Sequence, residues 1–92
     1  MNPAGLELAF GPNADRSTVA RLAERHGSAL VKAVRAKRAQ GRAGAVIMSF
    51  DGHMLVCFDR QWAALQGLSI ASDFAILGTP EDVSLSAAAL EQ

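Results

Sequence analysis

The sequence predicts a small α+β domain: a mainly antiparallel sheet around a central β-hairpin (45–58), packed by one long N-terminal helix (about 15–40) and by short C-terminal helices. Three observations carry this expectation. An apolar stripe with helical spacing runs from Val19 to Val34. Two β-rich runs meet at Asp51-Gly52. A chain of 92 residues has room for one core, so 1–92 reads as a single domain. Half of the residues are hydrophobic and a fifth are charged, a balance that excludes a disordered chain.

At the front, Leu6, Leu8 and Phe10 alternate with Glu7 and Ala9, the period of a half-buried strand, and Gly11-Pro12-Asn13 ends it. Asp15 or Ser17 can cap the long helix, and Gly41 and Gly44 supply its stop. At about 100° per residue, Val19, Leu22, Ala23, His26, Leu30, Ala33 and Val34 share one sector, and Arg21, Arg25, Lys32 and Arg35 lie on the opposite side. Gly27-Ser28 interrupts this helix and admits a helix-turn-helix as an alternative. The apolar positions on either side keep one phase, however, and favour a single helix.

Asp-Gly between Ala45–Phe50 and His53–Phe58 is the favoured two-residue type I′ turn, in which both central residues need positive φ. The implied register pairs Phe50 with His53, Met48 with Leu55 and Val46 with Cys57. One face then shows Val46, Met48, Phe50, Leu55 and Cys57, and the other shows Ile47, Met54, Val56 and Phe58. Both faces are apolar, so the hairpin is expected to be covered on both sides, or covered on one and used for association on the other. Asp59 can cap a short helix through Leu65 that stops at Gly67. Leu68–Ala71 and Phe74–Leu77 are compatible with one interrupted strand or with two. Thr79-Pro80-Glu81-Asp82 is a well-formed start for a final helix.

Net charge is zero, but the charges are sorted. Residues 16–42 hold eight of the nine basic residues against Glu24 alone, giving +7, and the rest of the chain carries −7. Such asymmetry suits a surface that meets an anionic partner, or self-association of opposite regions. The basic positions Arg21, Arg25, Lys32, Arg35, Lys37, Arg38 and Arg42 are the candidate partner-binding residues. A solvated helix face is the plain alternative.

Catalytic and metal chemistry have thin support. The mid-helix position of His26 suits a buried neutral histidine with one hydrogen-bond partner. His53 and Cys57 share a strand face but lie roughly 13 Å apart, too far to chelate one metal. A mid-strand cysteine among Val and Phe is an apolar filler with a raised thiol pKa. Asp51 and Asp59 already serve as turn and cap residues. There is no phosphate-binding glycine loop, nucleophile elbow, His-Glu-x-x-His or Cys-x-x-Cys. No catalytic residue, metal or cofactor is therefore assigned.

The expected function is a non-enzymatic regulatory or adaptor protein that binds another protein, with an acidic surface as the partner. A homodimer is expected, with Val46, Met48, Phe50, Leu55 and Cys57, or the opposite set, as interface candidates. Nucleic-acid binding through the basic helix 16–42 is the alternative, and a small Cys/His enzyme the third. The single cysteine cannot form an intramolecular disulfide, and no long apolar run or leader is visible, so a cytoplasmic protein without a membrane span is expected. The Ala- and Arg-rich composition suggests a bacterial or phage origin.

Overall fold

Two successive residues with positive φ, Asp51 at 51° and Gly52 at 80°, make the turn between β2 (Ala45–Phe50) and β3 (His53–Asp59). The turn sets the register, and the observed partners are Phe50 with His53, Met48 with Leu55 and Val46 with Cys57, as the two-residue loop requires. In this computed structural model, which describes residues 6–10 and 15–78, the remaining elements are β1 (Leu6–Phe10), α1 (Arg16–Ala39), α2 (Arg60–Leu65) and β4 (Phe74–Gly78).

The four strands form one mixed sheet in the order β1-β4-β3-β2. β4 is antiparallel to β3 and parallel to β1. β1 and β2 therefore lie at opposite edges, and α1, which connects them, crosses one face of the sheet. Of the two runs between 68 and 77, only the second pairs as a strand. The first is coil whose Leu68 and Ile70 pack on the face opposite α1.

Capping defines both ends of α1. The Asp15 carboxylate accepts from the Thr18 N–H at 3.2 Å and from the Thr18 hydroxyl at 2.8 Å. At the other end Gly41 adopts φ 74°, its N–H donates to the Arg38 carbonyl, and the Arg42 N–H donates to the Lys37 carbonyl. This is a Schellman closure, which needs a left-handed residue at that position. The helix is continuous through Gly27, which is buried within it, so the helix-turn-helix alternative does not form.

Buried Val19, Leu22, Ala23, Leu30, Val31 and Val34 of α1 meet Leu6, Leu55, Cys57 and Ile76 in the larger core. At the end of β4 a side chain on Gly78 would come within 2.6 Å of Val19 Cγ2, so strand and helix touch closely there. Ala45, Val56, Phe58, Trp62, Ala63, Ala75 and Leu77 form a second core on the other face, where Trp62 packs on Phe58 with ring centroids 5.1 Å apart. The 66–73 segment is held over this second face from two sides. Glu7 Oε1 accepts from the N–H groups of Ala71 and Ser72, each at 2.9 Å, and the Arg60 guanidinium donates to the carbonyls of Ala71 and Ser72.

The hairpin is thus covered on both faces, though unequally. α2 and its following loop cover the second face only near Val56 and Phe58, leaving Ile47 and Met54 37% and 47% exposed. The final helix expected from Thr79 lies outside the described residues.

Candidate functional site

Arg21, Arg25, Lys32 and Arg35 are all exposed on α1, on the side away from its buried residues. At about 1.5 Å rise per residue they span roughly 21 Å. Arg21, Arg25 and Lys32 make no hydrogen bond or ion pair to a described residue. The guanidinium of Arg35 lies over the Phe74 ring, 5.2 Å from its centroid. Four cations therefore face solvent with Glu24, exposed between Arg21 and Arg25, as the one acidic residue of the helix, a cationic excess that attracts anions and offers them several donors.

The cations past Arg35 have a different role. The Lys37 ammonium donates to the Ala45 carbonyl at 2.7 Å, tying the end of α1 to the start of β2. Burial, together with the charge of Arg42, lowers its pKa from the usual lysine value. Arg38 reaches Asp59 in a two-pronged contact, with Nε to Oδ2 at 3.0 Å and Nη2 to Oδ1 at 3.1 Å. The hydrogen bonding to Asp59 raises the pKa of its guanidinium above the ordinary value. The same Asp59 caps α2 by accepting from the Trp62 N–H at 2.8 Å. Lys37 and Arg38 therefore hold the two halves of the fold together, whereas the exposed Arg42 side chain makes no bond to a described residue.

Of the five interface candidates, Leu55 and Cys57 are completely buried under α1, and Val46 and Phe50 are half-buried against the same core. α1 covers the face that these residues share. Met48 alone remains notably exposed, at 37%. His26 departs from its expected surroundings too: it is half-buried and stacks on Phe50 with centroids 4.0 Å apart and planes 7° from parallel. No hydrogen bond joins it to a described residue, so ring contact takes the place of the expected polar partner.

Burial, reinforced by the negative charge of Asp59, pushes the Cys57 thiol up to about 12. It is protonated and inert at neutral pH. Among the described residues no three His, Cys, Asp or Glu side chains come together as a metal site, and no helix is long and apolar enough to cross a membrane.

Sequence reasoning missed a cleft of about 370 Å³ between the end of α1, the 41–43 turn and α2, with Arg38, Arg42, Trp62, Leu65 and Gln66 in its walls. Leu65 is 75% exposed there. The signal was present in the Asp59 cap and the Gly67 stop, which bound a helix too short to bury both Trp62 and Leu65.

No protein-family model, curated protein or solved structure matches this chain.

Proposed function

We propose that this chain is a non-enzymatic adaptor or regulatory module that docks an acidic protein surface on the exposed face of α1. The observation that supports this reading is the row of Arg21, Arg25, Lys32 and Arg35, exposed, ion-paired to no described residue and outnumbering the single acid of the helix, Glu24, in a chain of zero net charge. Cations kept for stability alone are usually paired or scattered, as Lys37 and Arg38 are paired here. The inert environment of Cys57 and the placement of His26 against Phe50 supply no nucleophile, which favours binding over catalysis.

A homodimer belongs to the same proposal, with the interface moved from the covered hairpin face to the outer edge of β2. That strand carries no charged residue, proline or bulge to discourage pairing, and its own Ile47 and Met48, with Met54 on the adjacent β3, are exposed. Light scattering at micromolar concentration should return the mass of two chains. A clean monomer removes this part of the proposal.

The test of the main reading is a variant with Arg21, Arg25, Lys32 and Arg35 all changed to Gln. Its melting temperature should stay close to that of the parent, while capture of its native partners should be lost. A variant that melts normally and keeps its partners reduces the row to a solvated face. In a parallel titration, duplex DNA should bind no tighter than about micromolar at physiological salt. Nanomolar binding with a log–log salt slope near −3.6, the value for about four neutralised phosphates, would replace the protein partner by a nucleic acid.

A further inference from the structure

We propose that the cleft between the end of α1 and α2 binds a short acidic peptide segment, seating an apolar side chain on Leu65 and an adjacent carboxylate on Arg42. This rests on the reading of the chain as a protein-binding module and gives that module a defined recognition point. The cleft, about 370 Å³, lies toward the small end of the range that holds specific ligands, and suits one or two side chains better than a large cofactor. Its apolar wall is unsatisfied, because Leu65 is 75% exposed while Trp62, three residues earlier, is buried.

Its electrostatics are one-sided. Lys37, Arg38 and Arg42 converge on this end of the domain with Asp59 as the carboxylate among them. Lys37 is committed to the Ala45 carbonyl and Arg38 to Asp59. Arg42 makes no bond to a described residue, and its proximity is felt in the depressed pKa of Lys37. A planar guanidinium with an apolar flank recognises a carboxylate attached to an apolar neighbour. The Gln66 amide adds a donor and an acceptor for a peptide backbone. A phosphodiester chain would use the charge but would gain nothing from Leu65, and this difference separates the two partner classes.

Trp62 is the sole tryptophan in a chain without tyrosine, so its fluorescence reports on the cleft directly. The probe is an acetylated, amidated decapeptide with four Glu and two Leu, titrated into the full chain. A version with Gln for every Glu and a single-stranded oligonucleotide serve as comparison arms. Saturable binding of the acidic peptide is expected, with amide NMR shifts at Gly41, Ala43 and Gln66. Arg42→Gln and Leu65→Ser should each weaken it about five- to tenfold with little change in melting temperature, and the Gln peptide should not bind. Binding that is abolished by the α1 quadruple variant but indifferent to Arg42→Gln and Leu65→Ser overturns the cleft and leaves the α1 reading standing. Preference for the oligonucleotide, unaffected by Leu65→Ser, overturns both. Absence of saturable peptide binding up to millimolar concentration overturns the cleft alone, since the quadruple variant still tests α1 through its native partners.

Discussion

Replacing Gly44 by alanine tests whether the Asp59 carboxylate organises the junction of α1, β2 and α2. A Cβ at Gly44 would overlap that carboxylate and lie 2.7 Å from Arg38 Nη2. Gly44 does not have the positive φ of Gly41, Gly52 and Gly67, so the backbone itself tolerates alanine and the conflict is steric. The carboxylate cannot simply turn aside, because it accepts from the Trp62 N–H at 2.8 Å and from Arg38 at 3.0 and 3.1 Å. Moving it sacrifices an N-cap worth about 0.5–2 kcal/mol and a partly exposed ion pair worth about 0.2–1 kcal/mol. Reduced freedom of the unfolded chain returns about 0.4–1 kcal/mol. The midpoints of these ranges leave an expected net loss of about 1 kcal/mol, a fall in Tm of roughly 4–8 °C for a domain of this size. In an Asp59→Ala background the carboxylate is gone and Arg38, no longer anchored by it, can turn aside, so Gly44→Ala should become neutral or slightly stabilising. Urea unfolding followed by far-ultraviolet circular dichroism and Trp62 fluorescence measures all four members of the cycle. Equal effects of Gly44→Ala in the two backgrounds, within about 0.5 kcal/mol, would refute the reasoning.

The same unfolding assay separates two leucines: Leu30→Ala, at a completely buried position, should cost about 2–5 kcal/mol through a cavity, whereas Leu65→Ala should stay within about 0.5 kcal/mol. Cys57 should react with a thiol reagent at pH 8 at least about a hundredfold more slowly in the native protein than in urea, because access requires opening. Its raised native pKa also has a sign: the stabilisation by the neutral thiol is complete below the unfolded value near 9 and is lost as pH rises toward about 12, so alkaline titration should show a stability loss in that window that Cys57→Ala lacks. Hydrogen bonds from Thr18 and Ser17 lower the pKa of Asp15, so its contribution is present above the ordinary aspartate pKa of about 3.9 and disappears as pH falls through the lower native value. Helical circular dichroism of Asp15→Asn should lose that part of the acid transition.

How much was legible in the sequence depended on how local the physics was. The Asp51-Gly52 turn, the Asp15 and Asp59 caps and the Gly41 stop are decided by neighbouring residues, and so were readable, together with the hairpin register and the continuity of α1. Non-local pairing was not. Nothing near Leu68–Ala71 shows that Glu7, more than sixty residues away, will accept from the N–H groups of Ala71 and Ser72. The burial of Leu55 and Cys57 is non-local in the same way: alternation places them on one face of the hairpin, but the topology decides that α1 covers that face. The sequence near His26 offers no hint of its ring partner, because Phe50 lies twenty-four positions along the chain.

Five of the eight basic residues of 16–42 fall by chemistry into two groups that composition alone merges. Lys37 and Arg38 sit where α1 ends, where cations favour the helix dipole, and their side chains reach a strand carbonyl and a capping carboxylate. Removing either leaves a half-buried acceptor without its donor, so its cost falls on folding. Arg21, Arg25 and Lys32 have no such acceptor among the described residues, and with Glu24 as the only acid on the helix their like charges add little or nothing to the stability of the isolated domain. Charges of this second kind lower the free energy only when an anionic surface arrives. Salt should therefore separate folding from partner capture. Added salt should leave stability nearly unchanged or raise it by screening the α1 row, while it weakens partner capture through that row. If salt weakened folding as steeply as it weakened capture, the exposed cations would be supporting the fold, and the division between structural and recognition charges would fail.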